Sequence, residues 1–169
     1  SHGSDTPREV WRFGKPDEPF YDSLIKVIHL RYRLLPYIYS LAGKVHRENY
    51  TMTRTLAFDF AKDMQVADLK DEFMFGPALL VAPVTNPMYY SVDSHPLENV
   101  DKVRRVYLPD GADWIDFWTG KKYKGGQWIV AEATINKIPL LVRQGSIIPM
   151  GPVMQYTSEK TDAEWERSE

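Results

Sequence analysis

Cysteine is missing from all 169 residues, which removes disulfide bridges, thiolate nucleophiles and cysteine-held metals together. Such a chain suits the cytosol and equally a secreted route that needs no bridges, so composition does not fix the compartment. No apolar run approaches the ~20 residues that span a bilayer, and no membrane helix is expected. Charge of one sign is not in excess either. With 21 Lys and Arg against 23 Asp and Glu, the formal net charge is -2, and without a long basic run nothing draws nucleic acid or an anionic membrane to the surface. Ser1-His2-Gly3 has neither an initiating Met nor a signal-like apolar core. The expectation is a piece that starts inside a longer protein.

What is present is an ordinary globular composition, 43% hydrophobic, enough to bury one respectable core or two small ones. From Asp22 to Asn49 the apolar positions Leu24, Val27, Ile28, Leu34, Leu35, Ile38, Leu41, Ala42 and Val45 recur at three and four, the helical period. Asp22 or Ser23 can cap the start. Pro36 interrupts the pattern and predicts a kinked helix, or else two abutting ones. From Thr51 to Phe60 the texture changes to β-branched and aromatic residues, which reads as a strand. A polar connection, Ala61 to Asp71, leads to short apolar runs separated by Pro, Gly and Asn, the pattern of an antiparallel sandwich starting near Glu72. Within it, Thr85 to Lys102 reads as a long loop or irregular hairpin, and Ile138 to Pro149 as two short strands joined by a turn at Gly145. Residues 157–169 read as a polar tail or linker.

Four segments stand in fixed order: Phe73 to Val84 (FMFGPALLVAPV), Arg105 to Gly111 (RVYLPDG), Trp114 to Gly120 (WIDFWTG) and Ile138 to Pro149 (IPLLVRQGSIIP). Together they resemble the tail of glycoside hydrolase family 31, the retaining α-glucosidases and α-xylosidases, and the resemblance runs from about residue 1 to about residue 152. The run Pro7 to Gly14 looks closer to the α-xylosidase members. The resemblance implies an α+β chain: terminal α/β elements of an incomplete TIM barrel, then an antiparallel β-sandwich. A complete barrel takes around 250 residues, and only about seventy precede the sandwich. The expected division is therefore residues 1–71 as the end of the barrel, with the helix over about 22–49 and a last strand over about 51–60, and 72–156 as the sandwich.

Members of the family cleave α-linked glycosides by double displacement with two aspartates, which must stand about 5 Å apart across the sugar. Both lie in motifs absent from this sequence, so no catalytic residue is assigned to it. The resemblance does match His2 to the histidine of an Arg-Ser-His or Arg-Asn-His step whose imidazole hydrogen-bonds sugar hydroxyls. An imidazole suits that task, since one nitrogen donates while the other accepts. Asp59 and Asp63, at the end of the expected strand, are read as loop carboxylates or as an ion pair with Arg54, and Arg54 as a structural charge. His29, His46 and His95 have no zinc-like spacing, so neither a metal nor a cofactor is expected. Trp114, Phe117, Trp118, Tyr123 and Trp128 could offer faces to sugar rings, but strand alternation predicts that most of them pack the core. Lys121, Lys122 and Lys124 read as a solvated hairpin tip, and Gly125-Gly126 as a turn.

The reading is thus a fragment of a retaining α-glycosidase, acting in the intact enzyme on α-linked oligosaccharides or xylosides and inactive alone. Its partners would be that substrate and the remainder of the catalytic domain, with the exposed helix face otherwise free to form a homodimer. The rival is a stand-alone carbohydrate-binding or interaction sandwich.

Overall fold

The computed structural model describes residues 8–156, 158, 159 and 161, and the chain forms two compact units. One comprises Ser1–His46 with Ile148–Glu169, the other Arg47–Ile147. The expected tail at 157–169 lies outside the described residues except at 158, 159 and 161.

The first unit is helical. A 3-10 turn, Val10–Arg12, precedes α1, Pro19–Arg33, and α2, Leu35–Glu48. Proline at the first helical position loses no bond, because that N–H would have no intrahelical partner anyway. Asp22 in the first turn and Arg31 and Arg33 in the last complement the helix dipole. Asp22 and Ser23 therefore lie inside the helix, which begins at Pro19, rather than capping it. The single kinked helix favoured by periodicity is also corrected: the helix divides at Leu34, where φ is -82° and ψ 1°. Pro36 has no N–H to offer the preceding turn and crowds the residue before it, so the strain is relieved two residues earlier. Across the break, Leu34 N still donates to Leu30 O and Ile38 N to Leu34 O, both at 2.9 Å. The residues after Ile148 return to this unit, where Gly151 N donates to Arg33 O at 2.7 Å and Met154 is buried.

The second unit is antiparallel throughout. Its strands are β1 (Thr53–Thr55), β2 (Phe73–Phe75), β3 (Leu79–Val81), β4 (Val103–Leu108), β5 (Trp114–Asp116), β6 (Lys122–Tyr123), β7 (Gln127–Glu132) and β8 (Leu140–Arg143). Six form one sheet in the order β1-β2-β3-β8-β5-β6, and β4 pairs with β7 as a separate ribbon. One core joins them: Leu56, Phe60, Val66, Met74, Leu80, Val106, Leu108, Trp114, Ile129 and Leu141 form a continuous buried cluster. Gly76, at φ 62°, supplies the left-handed turn from β2 to β3 that a side chain would oppose.

Two expected strands differ. The run 51–60 does not form a last barrel strand: only Thr53–Thr55 is extended, and it pairs antiparallel with β2, Arg54 opposite Met74. At Leu56 the chain turns into a short helix, α3, Leu56–Asp59. That turn puts Leu56 and Phe60, four residues apart, into the same core. The boundary expected near Glu72 consequently falls inside the second unit. The segment after Gly145 forms no second strand, because both edges of β8 are taken, by β3 and by β5. Ile147 is left 89% exposed. The loop from Thr85 to Lys102 is the irregular hairpin expected, with a lone bridge between Tyr90 and Pro96 and Leu97 N donating to Tyr89 O at 2.8 Å.

Candidate functional site

His2 lies outside the described residues. His29, His46 and His95 are exposed and scattered, and no group of three His, Asp or Glu able to hold a metal occurs among the described residues. Asp59 and Asp63 take structural roles. The Asp59 carboxylate meets Arg54 Nη1 at 3.2 Å, and the guanidinium also lies over the Tyr50 ring at 4.0 Å. Asp63 caps the 3-10 turn Met64–Val66 through Gln65 N at 3.0 Å and accepts from Tyr107 Oη at 2.9 Å and Asp110 N at 2.8 Å. Partial burial raises its pKa, but these three donors outweigh that and hold it below the usual carboxylate value.

Sequence reasoning missed a buried polar cluster beneath the β4–β7 ribbon. Arg104 and Glu72 are 8% and 3% exposed. Arg104 Nη2 reaches Asp71 Oδ2 at 2.7 Å and the Asp71 carbonyl at 2.8 Å, while Nη1 donates to the Pro83 carbonyl. Glu72 Oε1 accepts from Tyr107 N at 2.9 Å and lies 3.9 Å from Arg104, leaving Oε2 without a hydrogen bond. Burial pushes the Glu72 carboxyl up to about 7, against the lowering pull of the Tyr107 N–H and Arg104. The signal was available: in Val103-Arg104-Arg105-Val106 strand alternation puts Arg104 on the face of Val106, and so inside. The arrangement ties the segment before β2 to the ribbon, and it offers no nucleophile positioned against an acid.

The expectation that most of these aromatics pack the core is corrected: Trp114 is in it and Tyr123 packs against it, while Phe117 and Trp118 are half-buried and Trp128 is exposed. Trp114 is fully buried, 5.7 Å from Phe60 in a tilted pair, and its Nε1 donates to Pro109 O at 3.1 Å. Trp118 Nε1 donates to Ile138 O at 2.8 Å, and Trp128 is 42% exposed on the ribbon. The lysines are less uniform than a plain solvated tip: Lys124 pairs with Asp113 at 2.6 Å, and Lys121 lies 4.9 Å from the Tyr123 ring. Gly125 does more than turn the chain. A Cβ there would sit 2.3 Å from Ala112 O and 2.4 Å from Pro109 O.

Against known families, residues 1–41 match the glycosyl hydrolases family 31 TIM-barrel domain and residues 49–148 the glycosyl hydrolase family 31 C-terminal domain. Among curated relatives, the chain is 42% identical over 149 residues to an alpha-xylosidase of Saccharolobus solfataricus, covering 88% of this chain and 18% of that protein. It is 34% identical over 152 residues to alpha-glucosidase 2 of Bacillus thermoamyloliquefaciens, covering 89% and 17%. Among solved structures, the family 31 alpha-xylosidase of Xanthomonas citri superposes with a TM-score of 0.80 at 43% identity, over 92% of this chain and 16% of that one. A family 31 dextranase of Flavobacterium johnsoniae, solved with isomaltotriose, gives 0.77 at 37% identity, over 93% and 18%. The chain thus spans less than a fifth of these relatives. With the C-terminal domain model covering most of its length, and the same order of helices and antiparallel sandwich in the structure, the chain belongs to glycoside hydrolase family 31.

Proposed function

We propose that this chain is the carboxyl-terminal part of a retaining α-glycosidase that hydrolyses α-linked xylosides or glucosides by double displacement. The nucleophile and the acid/base carboxylate stand on segments outside it, and residues 1–46 and 47–148 complete and brace the barrel that carries them. One observation carries the reading: the two family-31 domain matches follow one another along the chain, barrel first. The first-named relatives in both comparisons being alpha-xylosidases supports a xyloside over a glucoside.

His2 contacts hydroxyls of the bound sugar in this reading. The apolar helix positions exposed here, Val27, Ile28, Tyr39 and Val45, are covered by the rest of the barrel or, in the isolated chain, by a second copy. Assays of the longer protein on nitrophenyl α-xyloside and α-glucoside test the proposal. Release of nitrophenol by the longer protein and none by this chain is expected, and replacing His2 by Ala is expected to lower kcat/KM. Absence of turnover on every α-glycoside overturns it. A free-standing binding module built on a row of aromatics is disfavoured by the burial of Trp114.

A further inference from the structure

The three indoles of the sheet unit differ in what their N–H groups do. Those of Trp114 and Trp118 are spent on backbone carbonyls. That of Trp128 has no acceptor among the described residues, and the side chain is 42% exposed. Even so, the ring is held in place. Tyr107, its cross-strand partner, tilts against it at 5.2 Å, and the Arg105 guanidinium stands 4.8 Å from its centroid.

Arg105 is exposed and has no carboxylate partner among the described residues, so its donors are open too. Trp128 and Arg105 line a concavity of about 340 Å³ together with Asn86, Thr85 and Asp71. The volume falls in the range of small-ligand sites, ~300–1,000 Å³.

The lining selects a chemistry. Trp128 and Arg105 only donate, Asp71 accepts, and Asn86 and Thr85 do both. A mixed ring of this kind matches hydroxyl groups, which also do both. The indole suits the C–H face of a pyranose. An anion is less well served, because Asp71 lines the same space and one of the two lining arginines, Arg104, is already paired with its carboxylate. We propose that Trp128, Arg105 and Asn86 form a binding site for a pyranose unit of a neutral oligosaccharide beside the β4–β7 ribbon. The site holds sugar without cleaving it, and it stands whether or not the hydrolytic reading does.

Titration of the ¹⁵N-labelled chain with isomaltotriose and with maltotriose, followed at the indole N–H resonances, tests this. The Trp128 signal is expected to move saturably at millimolar sugar while those of Trp114 and Trp118 stay. Trp128→Ala is expected to abolish binding, Trp128→Phe to keep part of it, and Asn86→Ala to weaken it several-fold. Should Trp128→Ala fail to fold, Asn86→Ala and Arg105→Ala carry the same test. The proposal is overturned by a Trp128 signal that never moves, or by affinity unchanged in both the Asn86 and Arg105 variants. Binding confined to glucuronate and abolished by salt would also overturn it, as would sugar-free, concentration-dependent broadening at Trp128, which marks a protein interface instead.

Discussion

In the unit Arg47–Ile147 the large apolar side chains lie inside, with Met74, Leu80, Trp114 and Leu141 at 0% exposure. The fifteen residues of α1 in the other unit bury Ser23 alone. Both regions have the pattern proper to their element, period two in the strands and three to four in the helices. The difference is in who supplies the second surface. Each strand finds its covering layer within about a hundred residues of its own chain, so its stripe becomes a core. The helices carry the same kind of stripe, yet Val27, Ile28, Tyr39 and Val45 remain open. An amphipathic pattern guarantees burial only where the partner is present.

The widest break in this comparison is expected from Trp114→Ala. Emptying a wholly buried indole site and orphaning the Pro109 carbonyl costs about 3–5 kcal/mol, and urea unfolding would read it as a lower midpoint at unchanged slope. Glu72 comes next, through pH. Its carboxyl is near 4.5 in the unfolded chain and about 7 in the fold. The folded state therefore holds the proton more tightly, and stability falls as pH rises through that window, by roughly 3 kcal/mol. Below the window the penalty is absent, and above it complete. Glu72→Gln keeps an acceptor for Tyr107 N and should flatten thermal midpoints measured from pH 4 to 8. Gly125→Ala forces a Cβ into two backbone carbonyls and should cost about 2 kcal/mol or more in the same melts. Tyr39→Ser, on the open helix face, should change stability by less than about 0.5 kcal/mol, and deuterium exchange should find the α1 amides far less protected than those of β3 and β8.

Much of this arrangement was legible from residue order. In β4 and β7 the alternation of residues matches burial, with Val106 and Ile129 inside and Arg105 and Val130 outside. The helical period and the disruptive effect of Pro36 were equally readable, though not the displacement of the break to Leu34. The errors share a cause, namely competition between local preference and what the neighbours leave available. Leu56 to Asp59 has strand-like composition but coils, because only a helical turn aims both Leu56 and Phe60 at one core. Ile147 and Ile148 are apolar and β-branched but find β8 already flanked on both sides. The pairing of Glu72 with Arg104 joins segments far apart in sequence, so only the inward register of Arg104 gave a hint of it. His2, the single substrate contact implied by the family resemblance, stands outside the described residues.

The helical unit is assembled from two separate stretches of polypeptide, with the whole sandwich between them, and Gly151 clasps the end of α1 at Arg33. A ribosome releases α1 and α2 before the sandwich, but the strap that completes their unit emerges only after β8. The sandwich can close as soon as its last strand is out, whereas the helices must wait for the residues behind it. The helical unit of this chain is thus complete only when residues on both sides of the sandwich are present.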